Sequence, residues 1–156
     1  RSESADGLRR LALQRCAVLR LGLPDGGLRQ CQTALQDQLQ AQLSPTDTLL
    51  TTWRGDAHPD HESCGLAAAA AARSFGCRLL EAPVWLWHWS RPGDRRVPWE
   101  RLVGLELAPD VVARKASALA AHRSQLTPRD AATGPVLGLD MVRRAGRPTE
   151  YFFAEM

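Results

Sequence analysis

The feature that most constrains the fold is an alanine-rich stretch that begins at Pro59 and ends at Gly76, with six consecutive alanines at residues 67–72. Proline is favoured at the first position of a helix, and glycine is favoured just past its end. Before this predicted helix, the apolar run at residues 49–53 predicts a buried strand. The sequence therefore predicts a strand–loop–helix unit, and in α/β proteins sites lie at the carboxyl ends of strands.

The loop of this unit carries His58, and His61 follows three residues later. If Pro59 is the first helical residue, His58 is the N-cap and the two histidines face the same side of the helix. Asp60 and Glu62 then place negative charge in the first turn, where the helix dipole favours it. Imidazole is a common zinc ligand, and a carboxylate between two histidines can orient a ring or take a proton. The pair predicts a metal-assisted hydrolase site, and helix capping or ordinary surface histidines are the alternative.

Hydrophobic periodicity predicts the remaining elements. The predicted helices cover residues 3–14, 28–43 and a stretch from 108 through 125, and the predicted strands cover residues 17–23, 82–89, 102–107 and 150–153. Residues 127–148 contain glycine and proline without apolar periodicity, so we expect an irregular substrate loop or lid there. The sequence shows no internal repeat and no second domain.

Two of these segments carry further polar residues that are candidates for the site. Asp25 follows the strand predicted over residues 17–23 and lies in a Pro-Asp-Gly-Gly sequence that is typical of a turn, so it is a turn former or a ligand of the substrate. In the strand predicted over residues 82–89, alternation places three tryptophans on one face and His88 on the other. The tryptophans form either an aromatic core or a sugar-stacking surface. His88 is either a structural histidine or a neighbour of the site.

Composition narrows the class of protein. The chain has 156 residues, of which 44% are hydrophobic and 24% are charged, as expected for one soluble globular domain. The net charge of +3 comes from scattered arginines, which argues against nucleic-acid binding. No apolar run approaches the ~20 residues of a membrane helix. The four cysteines lack metal-site spacing, and no signal peptide is recognisable, so we expect a cytoplasmic protein. The oligomeric state stays open.

Four motifs in order resemble the LmbE-like/PIG-L family of zinc-dependent N-acetylglucosaminyl deacetylases. They are L-P-D-G at residues 23–26, H-P-D-H at 58–61, W-L-W-H-W at 85–89 and K-x-x-A-x-x-x-H-x-S-Q at 115–125. That family also carries an A-H-P-D-D-E motif, whereas H-P-D occurs here only at His58. The resemblance implies one deacetylase domain over residues 1–156, truncated at its amino end. Its fold would be α/β, a Rossmann-like three-layer α/β/α domain with a mainly parallel sheet that lacks its first strands.

The activity that the resemblance implies is zinc-dependent hydrolysis of an N-acetyl or other N-acyl group, with an amino sugar or sugar-containing metabolite as substrate. His61 would be a Zn²⁺ ligand, and the absent motif would supply the other ligands and the general base. His58 would stabilise the tetrahedral oxyanion or protonate the leaving amine. Asp60 would act through a histidine, by fixing the tautomer of its ring.

Three residues are candidates for binding the substrate: Asp25, Asp56 and His88. Some family members carry Tyr at the position of Asp56, so the role of this position is open. Without the missing motif, we expect this chain alone to bind zinc weakly and to show no deacetylase activity.

Two other classes of function stay open. The absent motif favours a catalytically inactive fragment or pseudoenzyme that binds a sugar or a partner protein, and an A-H-P-D-D-E sequence encoded upstream would exclude it. A nucleotide-binding transferase is disfavoured because neither G-x-G-x-x-G nor a P-loop follows any predicted strand.

Overall fold

The computed structural model describes residues 2–128, 130 and 133–155. The chain forms two compact units. The first, which we call the helical unit, comprises Arg1–Val18 and Leu105–Glu150, and the second, the sheet unit, comprises Leu19–Gly104 and Tyr151–Met156. Among the described helices, none combines the length and the apolar character needed to cross a bilayer.

Most of the regular structure of the sheet unit surrounds the alanine-rich helix. In chain order it contains a 3₁₀ turn Leu28–Cys31, α2 Gln32–Gln40, β1 Thr48–Thr52, α3 Pro59–Phe75, β2 Arg78–Ala82, α4 Leu86–Trp89 and a 3₁₀ turn Trp99–Arg101. The helical unit contains α1 Glu3–Arg10, α5 Pro109–Leu119, α6 Arg123–Leu126 and α7 Leu139–Ala145. The strands β3 Leu102–Glu106 and β4 Thr149–Ala154 each include residues of both units.

The strands form one four-stranded mixed sheet in the order β1-β2-β4-β3. β1 pairs with β2 in parallel, with Thr52 opposite Ala82, and β2 pairs with β4 in antiparallel, with Glu81 opposite Phe153. The α/β class is confirmed. A mainly parallel sheet was expected, but one of these two pairings is antiparallel.

Helix α3 begins and ends where the sequence predicts. Pro59 is its first residue, and Gly76 ends it with a left-handed φ of 68° while its N–H bonds to the Ala72 carbonyl. Five of the six alanines at residues 67–72 are buried, and α3 packs on α2, β1 and β2. The packing is close at Gly65, where an added Cβ would be 2.6 Å from the Arg54 nitrogen. The start of α3 therefore lies directly on the backbone that leaves β1.

Two apolar clusters fill the sheet unit. One lies under α3 and contains Ala68, Ala69, Ala72 and Leu79, with Leu39, Leu49 and Cys77 packed against them. The other contains Trp53, Leu86, Val97 and Phe153, with Trp87, Trp89, Trp99 and Leu102 packed against them. The second cluster joins the end of β1 to α4, so it supports the loop that carries the histidines.

The strand predicted over residues 82–89 is wrong. The extended segment β2 ends at Ala82, and the backbone turns into α4 at Leu86. The side chain of Asp56 accepts hydrogen bonds from the backbone N–H groups of Val84, Trp85 and Leu86. A distant carboxylate thus satisfies the amides that a strand would have paired, and the alternation of tryptophans is overridden.

Several other boundaries also differ. Residues 17–23 form no strand, and Val18 and Leu19 are exposed. The helix predicted over residues 3–14 ends at Arg10, and the one over 28–43 starts as a 3₁₀ turn whose first N–H, at Leu28, bonds to Asp60.

The carboxyl-terminal predictions are partly right. The helix predicted through residue 125 breaks between α5 and α6, where Glu3 accepts the backbone N–H of Ser124. The stretch 127–148 contains α7, although it was expected to be irregular. Arg129, Ala131 and Ala132 of that stretch lie outside the described residues. The strands predicted over residues 102–107 and 150–153 correspond to β3 and β4.

Candidate functional site

The loop between β1 and α3 has a constrained backbone. Ala57 adopts a left-handed conformation, with φ of 58°, which is unfavourable for a residue with a Cβ by about 1 kcal/mol or more. Its N–H donates to the carboxylate of Glu62 over 3.2 Å, so the first turn of α3 reaches back to the loop. At the other end of the turn, the Thr52 hydroxyl donates to the His61 carbonyl oxygen over 2.9 Å. These bonds fix the helix start to the end of the strand.

Asp56 is the centre of this loop, and its side chain is 0% exposed. Its Oδ1 accepts from Val84 N at 3.0 Å and Leu86 N at 2.8 Å, and its Oδ2 accepts from Trp85 N at 2.8 Å. The same Oδ2 lies 2.6 Å from His61 Nδ1. One buried carboxylate therefore holds both the start of α4 and a ring of the histidine pair.

The two histidines lie side by side, as predicted from their spacing. Their ring centroids are 4.3 Å apart. His58 also stacks on Trp85, with centroids 5.8 Å apart and an interplanar angle of 12°, and Trp85 contacts His88 at 4.5 Å. His58 Nδ1 is buried and has no hydrogen-bond partner among the described residues. The four rings form a row from His61 to the exposed His88.

Asp60 has different hydrogen-bond partners from the histidine that was expected. It is 8% exposed, and its carboxylate accepts from Gly26 N at 2.6 Å and Leu28 N at 3.2 Å. In the structure it is Asp56, and not Asp60, that hydrogen-bonds a histidine. Asp60 ties the turn that contains the exposed Asp25 to the first turn of α3.

An ion pair between the partly exposed Arg54 and a buried carboxylate lies at the start of the loop, and sequence reasoning missed it. Glu81 of β2 is fully buried and accepts three hydrogen bonds from Arg54, at 3.1 Å from its backbone N–H and at 2.8 Å from both Nε and Nη2. Arg54 also donates to Glu155 over 2.7 Å. The hydrogen bonds to Glu81, followed by those to Glu155, raise the pKa of Arg54. A charged residue within an apolar strand, at Glu81, was the available signal.

The tryptophans of the W-L-W-H-W motif have two kinds of surroundings. Trp87 and Trp89 pack against the apolar cluster, and Trp89 Nε1 donates to the backbone oxygen of Asp56 over 3.1 Å. The guanidinium of Arg96 lies 4.6 Å above the Trp89 ring. Trp85 stacks on His58 of the histidine pair. The motif therefore supplies core contacts at two positions and a site contact at the third.

The structure thus gathers the sequence-predicted site residues into one part of the sheet unit. His58, His61 and Asp56 are in direct contact, His88 is linked to them through Trp85, and the turn of Asp25 is held by Asp60. The fourth motif, at residues 115–125, belongs to the helical unit, where Lys115 pairs with Glu150.

The side chains present fit one ligand of a metal ion. With its Nδ1 engaged by Asp56, His61 retains Nε2 for another partner, an arrangement that many metal-binding histidines share. In the part of the chain that the structure describes, no group of three His, Cys, Asp or Glu side chains could hold a metal ion. A complete catalytic set would need ligands from other residues.

Comparison of the chain with protein-family models, with curated proteins and with solved structures found no match.

Proposed function

We propose that this chain carries the histidine half of a zinc-dependent hydrolase site that removes an N-acyl group, most simply acetyl, from an amino sugar or sugar-containing metabolite. The proposal includes a Rossmann-like domain of the LmbE-like/PIG-L type. The observation that carries it is the 2.6 Å contact between His61 and the buried Asp56, with the His58 ring beside it at the end of a parallel strand. A capping or surface histidine pair has no need of a fully buried carboxylate partner.

In this proposal His61 is the metal ligand of the chain, and the remaining ligands come from outside the described residues. A bound zinc ion would supply a water of lowered pKa and an electrophile for the amide carbonyl. Asp56 keeps the His61 ring in a fixed orientation, since it is itself held by three backbone N–H groups.

His58 is the residue proposed to act on the substrate. Its ring lies next to His61 and is held against Trp85. From this place it can donate a hydrogen bond to the oxygen that gains charge, or give a proton to the leaving amine. Asp25 and His88 lie at the rim, in an exposed turn and at the exposed end of the ring row, where sugar hydroxyls could be bound.

The decisive experiment changes each histidine separately in a protein that includes an A-H-P-D-D-E segment. His61→Ala should lose bound zinc and acetate release together, because the ion is left under-coordinated. His58→Ala should keep zinc and near-normal substrate affinity but lower kcat by about 10²- to 10³-fold, the usual effect of losing one oxyanion donor.

Zinc content after dialysis and acetate release from N-acetylglucosamine conjugates are the measurements. Loss of metal in His58→Ala but not in His61→Ala would reverse the two roles. If neither change affects zinc or rate, the hydrolase proposal fails and the pair only begins a helix.

A second candidate is a sugar- or partner-binding module without catalysis. The lack of a three-ligand group within the described residues favours it. Calorimetric titration of this chain with N-acetylglucosamine conjugates in the presence of a chelator tests it, because a module of this kind binds without metal. Zinc-dependent turnover by the chain alone would exclude it.

A further inference from the structure

We infer that Asp56 is a positioning residue that holds His61 as its Nδ1–H tautomer and thereby keeps a free lone pair on Nε2. This inference rests on the proposed function for its purpose, since the lone pair is what a metal ion or a proton would take. Its evidence is the hydrogen-bond geometry around Asp56.

The position of the proton follows from the partners of the two atoms. An Asp carboxylate accepts hydrogen bonds, whereas a neutral imidazole nitrogen can either donate or accept. Asp56 already accepts from the backbone N–H groups of Val84, Trp85 and Leu86, and His61 Nδ1 approaches Oδ2 at 2.6 Å. The hydrogen in this short contact therefore belongs to His61 Nδ1. In the neutral ring, Nε2 is then unprotonated.

His58 provides an internal contrast. Its Nδ1 is buried without a hydrogen-bond partner among the described residues, against the Trp85 ring. A buried ring nitrogen without a partner is left unsatisfied whether or not it carries the proton, so these surroundings select neither tautomer of His58. The fixed tautomer is therefore a property of His61 and of its contact with Asp56.

The isosteric change Asp56→Asn tests this assignment because the backbone donors dictate how the amide sits. With its oxygen at the Oδ1 position, the amide still accepts from Val84 N and Leu86 N, and its NH₂ group faces Trp85 N and His61. In the opposite orientation, the NH₂ group would face two backbone N–H donors, those of Val84 and Leu86, instead of the one of Trp85. The NH₂ group then donates to His61 Nδ1, and the proton of His61 moves to Nε2.

The measurement is a long-range ¹H–¹⁵N correlation spectrum of the ¹⁵N-labelled, metal-free chain at about pH 8, above the ordinary histidine pKa of about 6.5. In the wild-type chain we expect His61 to show a protonated Nδ1 and an unprotonated Nε2. In Asp56→Asn, the Nδ1–H pattern of His61 should be lost and replaced by the Nε2–H pattern.

Asp60→Asn is the matched control. It makes the same carboxylate-to-amide change in the first turn of α3, but the partners of Asp60 are Gly26 and Leu28, so the His61 pattern should not change. A general loosening of the fold would change the His61 spectrum in both variants, whereas a positioning role of Asp56 changes it only in Asp56→Asn.

A wild-type His61 with its proton on Nε2 would overturn the inference, and this result needs no variant to fold. An unchanged His61 pattern in a folded Asp56→Asn would overturn it as well. If the tautomers are as expected but the two histidine variants described above affect neither zinc nor rate, the hydrolase proposal fails while the role of Asp56 stands.

Discussion

The β1–α3 loop of the sheet unit and the α5–α6 segment of the helical unit pair similar residue types in different ways. Asp56 in the loop and Asp60 in the first turn of α3 are buried, and each accepts at least two backbone N–H groups from other segments. In the α5–α6 segment, Glu3 accepts from Ser124 N and Oγ in an exposed contact, and Asp110 pairs with Arg114 on the surface of α5.

The two regions differ in how deeply their carboxylates are buried and in which groups these carboxylates hydrogen-bond. A buried carboxylate that lacks its partners is costly, so the loop must keep one geometry. An exposed carboxylate exchanges its partners for water at little cost. A histidine beside a carboxylate therefore indicates a preorganised site only when the carboxylate is fixed by other donors, as Asp56 is. In the helical unit, by contrast, the carboxylate of Glu3 is bound by Ser124 in an exposed contact.

The largest effect is expected for the ion pair beneath the loop. Glu81→Ala removes the main partner of the partly exposed Arg54, leaving it the contact with Glu155, and also removes the carboxylate 3.7 Å from Arg101 Nη2, so we expect a loss of about 3 kcal/mol in the free energy of unfolding. The matched change in the helical unit, Asp110→Ala, removes an exposed partner of Arg114 and should cost less than about 0.5 kcal/mol. Urea unfolding of both variants measures the difference, and equal losses would remove the distinction between the regions.

A somewhat smaller effect is expected at the contact between α3 and the strand end. Gly65→Ala would place a Cβ 2.6 Å from Arg54 N and 2.7 Å from the Thr52 oxygen, both backbone atoms, so α3 must shift. We expect a loss of about 2–3 kcal/mol and a lower Tm. Gly138→Ala in the helical unit meets nothing within 4 Å and should change stability by less than about 0.5 kcal/mol. A Gly65→Ala variant as stable as the wild type would show that the loop tolerates displacement of its helix.

Asp60 should give a moderate and local effect. Asp60→Ala removes the acceptor of the Gly26 and Leu28 amides, at a cost of about 1–2 kcal/mol. Hydrogen exchange should accelerate most at these two amides, while the amides of Val84 and Leu86, held by Asp56, keep their protection. Uniform acceleration throughout the sheet unit would instead indicate that the two carboxylates form one cooperative element.

The smallest effect is expected at Glu3, in the helical unit. The hydrogen bonds from Ser124 lower the pKa of Glu3 below its ordinary value of 4.5. A lowered pKa in the folded state means that the stabilisation is present above about pH 4.5 and is lost as the pH falls through the folded-state pKa. Since the contact between Glu3 and Ser124 is exposed to solvent, the change in Tm across this range should be slight, and Ser124→Ala should reduce it. A rise in stability on acidification that disappears in Ser124→Ala would contradict the sign of this shift.

Much of the local structure at the site could be predicted from sequence. Pro59 and Gly76 mark the ends of α3, and the three-residue spacing of His58 and His61 places their rings together. These features depend on residues close together in the chain. The partner of His61 could not be identified in this way, because Asp56, Asp60 and Glu62 are all close to His61 in the sequence. Its selection depends on the amides of residues 84–86, which come from another element.

The same dependence explains the wrong strand at residues 82–89. Alternation of Trp and apolar residues is a local signal. The conformation is instead decided by the N–H groups of Val84 and Leu86, which hydrogen-bond a carboxylate about thirty positions earlier in the chain. The separation of the chain into two units likewise has no local signal, since each unit combines segments that are far apart in sequence.

The bond between Leu86 N and Asp56 spans 30 residues, and this has a consequence for the order of events during synthesis and folding. Helix α3 can form as soon as its own residues have left the ribosome, because its caps and its proline are local. The His61 ring acquires its fixed orientation only after β2 has crossed over to β1 and residues 84–86 have reached Asp56. Closing such a contact is slower than forming a helix. The site is therefore assembled late, and a nascent chain that ends before residue 84 displays both histidines without the geometry that distinguishes them.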